Sequence, residues 1–323
     1  MPNKSERAKF VKDTVNKVIP RILNSNIVAK AAIAKTELLH YPHNVGNKSS
    51  TKSSKRGKAK EPMEDEIDSQ AATLEIHKEI PATALEAPRI EVIQSDTFDA
   101  AQNILSSIPP KSRVAILNMA SPLRPGGGFL KGATAQEEAL CGRSTLYAAI
   151  VSDETFYRLP SLSAIYSPDI LVFRSADGVE LPKSEHFFVD VITAAAVRKP
   201  DLVSGSTVEG QVQLRYEDGD REEMTLKVRA LFHFAREKCV THLVLGAWGC
   251  GAYGNPPQEV ARIFKTVLLG DRRRKGVWEG SGLVSVVFAI HDRGPNLRAF
   301  ENEFGRLETG VEEDSGAERS QES

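Results

Sequence analysis

The stretch VAILNMASPLRPGGGFLKGATAQEEAL, residues 114–140, decides the fold class that the sequence predicts. It begins with an apolar run typical of a buried strand, continues through a loop with three consecutive glycines, and ends in a helix-like segment. Strand-like and helix-like segments alternate in the same way from residue 89 to residue 289. This alternation predicts an α/β layer fold with a substantially parallel sheet.

The predicted elements can be placed along the chain. Strands are expected at residues 89–93, 114–117, 170–173, 187–192, 242–245 and 283–289. Helices are expected at residues 97–107, 135–151, 222–238 and 258–269, and Asp96 is the candidate N-cap of the first of them. Residues 199–220 interrupt the pattern and are interpreted as an excursion from it.

Charge and complexity divide the chain into an N-terminal extension (1–84), a main domain (85–305) and an acidic disordered tail (306–323). Residues 6–40 have a helical periodicity that Pro20 interrupts. Residues 44–62 contain almost no large apolar residue, which predicts a disordered linker that continues to residue 88. The basic run 52–60 is a nuclear address, a polymer-binding arm or a solvated linker.

The composition argues against several classes of protein. The 42 Lys and Arg residues balance 43 Asp and Glu residues, so we expect no membrane partner and no direct nucleic-acid binding by the main domain. No apolar run approaches the roughly 18 to 20 residues of a membrane span, and the N-terminus lacks the apolar core of a signal peptide. Three cysteines (Cys141, Cys239, Cys250) without paired spacing disfavour a disulfide framework and a zinc site. An intracellular protein, in the cytoplasm or nucleus, is expected.

Two glycine-rich loops each follow a strand and precede a helix, the position at which α/β proteins bind ligands. The first is NMASPLRPGGGF (118–129) and the second is GAWGCGAYGN (246–255). Because glycine has no Cβ, the backbone N–H groups of such loops can approach a phosphate or diphosphate closely. Neither loop has the P-loop or dinucleotide-binding pattern, and a tight turn remains the alternative for each.

A pair of glutamates lies at the start of the helix that follows the first loop, in the segment GATAQEEAL (132–140). Thr134 and Glu137 have the spacing of a capping box, which gives Glu137 a purely structural alternative. Successive helical residues point about 100° apart, so Glu137 and Glu138 cannot do the same job. Glutamates at a helix start are most often partners of the helix dipole, and this reading stays open on the residues alone.

Taken together, the motifs resemble a known family. PGGGFLKGATAQEEALCGRSTLY (125–147) resembles the signature of poly(ADP-ribose) glycohydrolases, a triple glycine followed by Gln-Glu-Glu. LNMASPLRPGGG (117–128) and LGAWGCGAYGNPP (245–257) are similar to the microbial-type branch, and the resemblance covers about 85–305. It implies a macrodomain-like mixed sheet between helices that binds ADP-ribose across the strand ends.

The resemblance also implies roles for individual residues. Glu138 would be the catalytic acid and base, and Glu137 would hold ribose hydroxyls beside it. Asn118 would bond the ribose next to the cleaved bond, and Tyr253 would pack over the distal ribose; a turn-forming cap and a half-buried loop aromatic are their structural alternatives. The further residues expected to contact the substrate are Gly126, Gly127, Gly128, Gln136, Gly249, Cys250, Gly251 and Ala252.

The implied reaction is hydrolysis of the ribose–ribose O-glycosidic bond in poly(ADP-ribose), which releases ADP-ribose and needs no cofactor or metal. The substrate would be the polymer or ADP-ribosylated proteins. A non-catalytic ADP-ribose reader is the alternative, although a reader needs the glycine loops and not the glutamate pair. A phosphatase acting on ADP-ribose 1″-phosphate would use similar loops without the Gln-Glu-Glu helix.

Overall fold

The structure, a computed structural model, describes residues 3–42, 87–208 and 211–305. The helices are α1 (Lys4–Asp13), α2 (Ile19–Ser25), α3 (Ile27–Ala34), α4 (Thr97–Ser107), α5 (Gln136–Arg143), α6 (Leu146–Ile150), α7 (Asp218–Glu237), α8 (Pro257–Leu269) and α9 (Pro295–Phe304). The strands are β1 (Glu37–His40), β2 (Arg89–Ile93), β3 (Val114–Met119), β4 (Ser163–Val172), β5 (Phe187–Ala194), β6 (Leu202–Val208), β7 (Gln211–Tyr216), β8 (His242–Leu245) and β9 (Ser285–Ala289). A π-helical turn, Thr14–Val18, joins α1 to α2.

In the described part of the chain, seven strands form one mixed sheet in the order β1-β4-β5-β3-β8-β9-β2. Strands β5, β3, β8, β9 and β2 run parallel to one another. At the other edge, β4 is antiparallel to β5, and β1 is antiparallel to β4. The predicted α/β fold with a mixed sheet between helices is therefore confirmed.

Alternate residues of the central strands face two opposite hydrophobic layers, as the two-residue period of a strand requires. In β3, Ala115 and Leu117 face a layer built with α7, α8 and α9. Val114 and Ile116 face the other layer, which α1, α4, α5 and α6 contribute to. None of the described helices is long and apolar enough to cross a membrane. Because helices cover both faces, the loops at the strand ends are the place where a ligand can reach the sheet.

Most predicted elements lie where the sequence indicated them. The side chain of Asp96 accepts hydrogen bonds from the N–H groups of Phe98 and Asp99, so the predicted N-cap of α4 is confirmed. The helix predicted at 135–151 is instead two helices, α5 and α6, because Ser144 has an extended backbone and its Oγ accepts from the N–H of Leu146. The strand predicted at 170–173 begins earlier, at Ser163, and the excursion at 199–220 contains the separate β6–β7 hairpin.

The N-terminal residues pack onto the rest of the described chain. Strand β1 pairs with β4, with Leu39 opposite Ala164. Ile22 packs in one cluster with Leu171 and Phe173 at the end of β4. Residues 4–40, which the sequence interpretation assigns to the N-terminal extension, therefore pack against the sheet, because the edge of β4 and the apolar faces of these helices cover each other. The predicted basic linker and the acidic tail lie outside the described residues.

This packing can be tested with two matched substitutions. Ile22 is 7% exposed and Ile27 is 84% exposed. We expect Ile22→Ala to lower the free energy of unfolding by about 2–5 kcal/mol, because it leaves a cavity. The exposed control Ile27→Ala should change it by about 0.5 kcal/mol or less. Urea unfolding followed by tryptophan fluorescence measures both, because Trp248 and Trp278 belong to the layer built with α7, α8 and α9. An unchanged midpoint in Ile22→Ala would show that the N-terminal helices do not unfold together with that layer.

Candidate active site

A cavity of about 560 Å³ lies at the carboxyl ends of β5, β3 and β8. Its volume is in the range of small-molecule sites, roughly 300–1,000 Å³. Strand β3 is hydrogen-bonded to β5 on one side and to β8 on the other. The loops that follow these three strands therefore meet at one place, and the strand order brings together two glycine loops that are far apart in sequence.

Most of the residues predicted for the site line this cavity: Gly127, Gly128, Gln136, Glu137, Glu138, Gly249, Gly251, Ala252 and Tyr253. Three others lie behind its wall. Asn118 is fully buried at the end of β3. Gly126 is on the inner side of the first loop, where a Cβ would be 3.1 Å from the ring of Tyr147. The Sγ of Cys250 is directed to the carbonyl of Trp248, 3.8 Å away, and burial raises the pKa of this thiol.

The triple-glycine loop brings its backbone against both glutamates. Gly126 and Gly127 have φ values of 68° and 56°, in the left-handed region that favours glycine. A Cβ on Gly127 would lie 2.8 Å from Oε2 of Glu137 and 2.9 Å from Oε1 of Glu138. Glycine is therefore required at 127 both by the backbone conformation and by the approach of the carboxyl groups.

Glu138 joins the first loop to the start of α5. Its Oε1 accepts a hydrogen bond from the N–H of Gly128 at 2.7 Å, and its Oε2 accepts one from the N–H of Ala135 at 3.0 Å. The structural alternative for Glu137, a capping box with Thr134, does not form, because α5 begins one residue later and places Glu138 at its third position. Alanine has no side-chain acceptor, so only the glutamate half of a capping box forms.

Glu137 occupies a different environment from its neighbour. It is 4% exposed, and its Oε2 accepts a hydrogen bond from the N–H of Ser121 at 2.8 Å. Burial raises its pKa to about 8; the bond from Ser121 opposes this rise, and the negative charge of Glu138 adds to it. This carboxyl group therefore keeps its proton at neutral pH in most molecules.

Among the buried polar atoms that have no hydrogen-bond partner within the described residues, two belong to side chains predicted to bind ribose. They are Oε1 of Glu137 and Oδ1 of Asn118. The Nδ2 of Asn118 donates to Oγ1 of Thr193 at 3.2 Å, which fixes the orientation of the amide. Because buried polar atoms are nearly always paired, two such atoms at one site indicate that a ligand group completes their bonding.

Gln136 connects α5 to the sheet. Its Oε1 accepts from the N–H of Met119 at 2.9 Å, and its Nε2 donates to the carbonyl of Leu117 at 2.7 Å and to Oγ1 of Thr97 at 3.3 Å. Both donors and the carbonyl of this amide are thus engaged with protein groups. Gln136 lies in the cavity wall, but its side chain positions the glutamates that follow it.

The second glycine loop is held by Asn255. The Nδ2 of Asn255 donates to the carbonyls of Val197, at 2.8 Å, and Gly249, at 3.0 Å. Its Oδ1 accepts from the hydroxyl of Tyr216, at the end of β7, at 2.6 Å. Gly249 has a φ of 77°, and a Cβ there would lie 2.7 Å from the Cβ of Ala196. The β6–β7 hairpin therefore supports the loop that lines the cavity.

The sequence interpretation missed several residues of the site. Arg124, Arg198 and Trp248 also line the cavity. Arg124 and Trp248 lie inside the glycine-rich motifs, so their positions could have been inferred. Arg198 follows β5 and belongs to no motif, and only the strand order brings it here. Within the described residues, no group of three or more His, Cys, Asp or Glu side chains could hold a metal ion.

Comparison with known proteins gives the site its context. The family model of the microbial-type poly(ADP-ribose) glycohydrolase (PARG) catalytic domain matches residues 28–175. This range contains β1, the triple-glycine loop and α5, and it begins well before residue 85, where the sequence resemblance was expected to start. The comparison with curated proteins finds no significant match.

Solved structures are similar over most of the chain. Poly(ADP-ribose) glycohydrolase from Thermomonospora curvata is 27% identical, with a TM-score of 0.65 over 93% of this chain and 100% of that one. The same enzyme bound to the inhibitor ADP-HPD gives 28% identity, the same coverage of both chains and the same TM-score. The enzyme from Deinococcus radiodurans in complex with ADP-ribose is 33% identical, with a TM-score of 0.54 over 67% of this chain and 84% of that one. The chain belongs to the microbial-type poly(ADP-ribose) glycohydrolase family, glycosidases that hydrolyse poly(ADP-ribose).

Proposed function

We propose that this poly(ADP-ribose) glycohydrolase cleaves the ribose–ribose bond in the cavity between its two glycine loops, with Glu138 as general acid and base. One observation carries the proposal: two adjacent carboxyl groups meet the backbone of Gly127 at the cavity but lie in different environments. Groups with different environments can take the two roles that a glycosidase needs, proton transfer and substrate orientation.

The environments favour Glu138 for proton transfer. A catalytic acid must reach the leaving oxygen and afterwards accept a proton from water, so it needs access to the cavity. Both glutamates line the cavity, but Glu138 is half-buried, whereas Glu137 is 4% exposed and bonded to the N–H of Ser121.

The reaction then follows in two steps. Glu138 donates its proton to the bridging oxygen as the C–O bond breaks, which leaves an oxocarbenium-like ribose and the shortened polymer. The diphosphate, held by backbone N–H groups of residues 249–252 with Arg124 and Arg198 nearby, offsets the developing positive charge. Water attacks the ribose carbon and gives its proton to Glu138, and ADP-ribose is released.

The remaining residues orient the substrate. The unpartnered Oδ1 of Asn118 and Oε1 of Glu137 would form hydrogen bonds with ribose hydroxyls. Tyr253 lies between the loops, with its hydroxyl 3.4 Å from the carbonyl of Ala120, and would pack over the distal ribose. We further propose that the enzyme acts inside the cell on the polymer or on ADP-ribosylated proteins, in the cytoplasm or nucleus.

The two glutamates should respond differently to amide substitution. Glu138→Gln keeps the size of the side chain but cannot donate a carboxylic proton, so turnover of labelled poly(ADP-ribose) should fall by about 10² to 10⁴-fold. ADP-ribose should still bind this variant in isothermal titration. Glu137→Gln should mainly weaken substrate binding, and the exposed control Glu154→Gln should behave as the wild type.

The products, resolved by chain length, decide the outcome. Near-normal release of ADP-ribose by Glu138→Gln would remove Glu138 from the chemistry. A wild-type protein that binds ADP-ribose but never shortens the polymer would instead be a reader.

Because Gly127 approaches both carboxyl groups, we expect ADP-ribose affinity to be sensitive to substitution at this position. Gly127→Ala places a Cβ against both glutamates, whereas at Gly280, which has a similar φ of 67°, a Cβ meets nothing within 4 Å. Both alanines carry the cost of a left-handed conformation, about 1 kcal/mol, and Gly127→Ala should lower the melting temperature further because its Cβ meets the two carboxyl groups. Only Gly127→Ala should lose ADP-ribose affinity, by about tenfold or more. Equal affinities for the two variants would place the triple-glycine loop outside the site.

The raised pKa of Glu137 predicts a pH dependence of stability. The pKa is about 8 in the folded protein against a usual value of 4.5, so between these values the folded state binds the proton more tightly. The contribution of this group to the free energy of unfolding therefore falls as the pH rises through that window. The melting temperature of Glu137→Gln, relative to the wild type, should accordingly increase from pH 5 to pH 8.5. A difference that does not change with pH would show that Glu137 titrates in its ordinary range.

A further inference from the structure

The N-terminal helix α1 contacts the turn that closes the triple-glycine loop. The Nε of Arg7 donates a hydrogen bond to the carbonyl of Gly132 at 2.9 Å. Gly132 has a φ of 71°, and a Cβ there would lie 2.8 Å from the carbonyl oxygen of Lys4. The helix and the turn are thus in direct backbone contact, in a place where only glycine fits.

A short path of hydrogen bonds leads from this turn to Glu138. The N–H groups of Lys131 and Ala133 both donate to the carbonyl of Gly128, at 2.9 and 3.2 Å. The N–H of Gly128 donates in turn to Oε1 of Glu138 at 2.7 Å. Gly128 is therefore held on one side by the turn that Arg7 fixes, and it holds the glutamate on the other.

The opposite end of α1 is linked to the far end of α5. Arg174 is 4% exposed, and its Nη1 donates to Oγ1 of Thr14 and to the carbonyl of Gly142, both at 2.8 Å. Its guanidinium carbon lies 4.5 Å from the centre of the Phe10 ring. The two ends of α1 are thus linked to the turn before α5 and, through Arg174, to the last turn of α5.

We propose that Arg7 is a positioning residue of the glycosidase reaction: by holding the carbonyl of Gly132 it keeps the Gly128 N–H, and through it the carboxyl group of Glu138, in place for proton transfer. The proposal rests on the role proposed above for Glu138. Arg7 touches no substrate, and it acts through the geometry of the loop.

The side-chain geometry supplies a matched pair of variants. The bond to Gly132 comes from Nε, and a glutamine places its Nε2 at the same distance along the side chain. Arg7→Gln keeps a donor there, whereas Arg7→Met places a methyl carbon at that position. A misplaced reacting group costs up to about 10²-fold in rate, so we expect kcat for the polymer to fall about tenfold in Arg7→Met and to remain near wild type in Arg7→Gln.

Binding separates positioning from a general loss of structure. The KM for the polymer and the affinity for ADP-ribose should change less than about twofold in both variants, since the second glycine loop is not touched. Lys17→Ala, which removes an exposed ion pair with Asp13 from the same N-terminal run, is the control and should match the wild type. Amide hydrogen exchange of Gly128 and Ala133 should be faster in Arg7→Met than in this control.

Three results would overturn the proposal: the same kcat in Arg7→Met and Arg7→Gln, a lower melting temperature with unchanged kcat, or unchanged exchange at Gly128. If Arg7→Met does not fold, Arg7→Lys replaces it, because the lysine Nζ lies one atom beyond the position of the arginine Nε. A kcat and an exchange rate equal to those of the wild type in Arg7→Lys would also overturn the proposal. The exchange data do not depend on the chemistry. If exchange at Gly128 is faster in Arg7→Met but the Glu138→Gln variant is active, only the role of Glu138 is refuted. If exchange at Gly128 is unchanged in Arg7→Met but the Glu138→Gln variant is inactive, only the role of Arg7 is refuted.

Discussion

The hydrogen bond from the N–H of Gly128 to Oε1 of Glu138 is the contact on which the rest of the site depends. It brings the triple-glycine loop against the first turn of α5, which is possible only because Gly127 has no Cβ between its backbone and the two carboxyl groups. The same approach leaves Glu138 half-buried in the cavity lining and Glu137 almost fully buried beside it. One constraint thus places two neighbouring carboxyl groups in different environments, and burial raises the pKa of Glu137.

The sheet determines where this contact is made. Because β3 lies between β5 and β8, the carboxyl ends of three strands bring Arg198, the triple-glycine loop and the second glycine loop to one cavity. Polar side chains then fix each part: Gln136 joins α5 to the end of β3, and Asn255 joins the second loop to the β6–β7 hairpin. Side-chain amides of neighbouring elements thus hold in place the two glycine loops that line the cavity.

Much of this arrangement could be predicted from the sequence, because alternating elements, glycine runs and the Asp96 cap are local signals. The residue at which α5 begins could not be predicted in this way. Thr134 fits the local capping pattern better than Ala135, but the bonds of Gln136 to β3 and of Glu138 to the loop are tertiary and select the later start. The packing of α1 on the loop was also missed, since a long segment without hydrophobic periodicity separates it from the motifs. Arg198 gave no local signal at all.

The most direct test of the account is a crystal structure of the protein with ADP-ribose bound. The account predicts ribose hydroxyls about 2.6–3.0 Å from Oδ1 of Asn118 and Oε1 of Glu137, two buried atoms that have no hydrogen-bond partner in the described residues. It also predicts the carboxyl group of Glu138 beside the carbon of the cleaved bond. A ribose bound elsewhere, with both atoms still unpaired and Glu138 remote from that carbon, would contradict it.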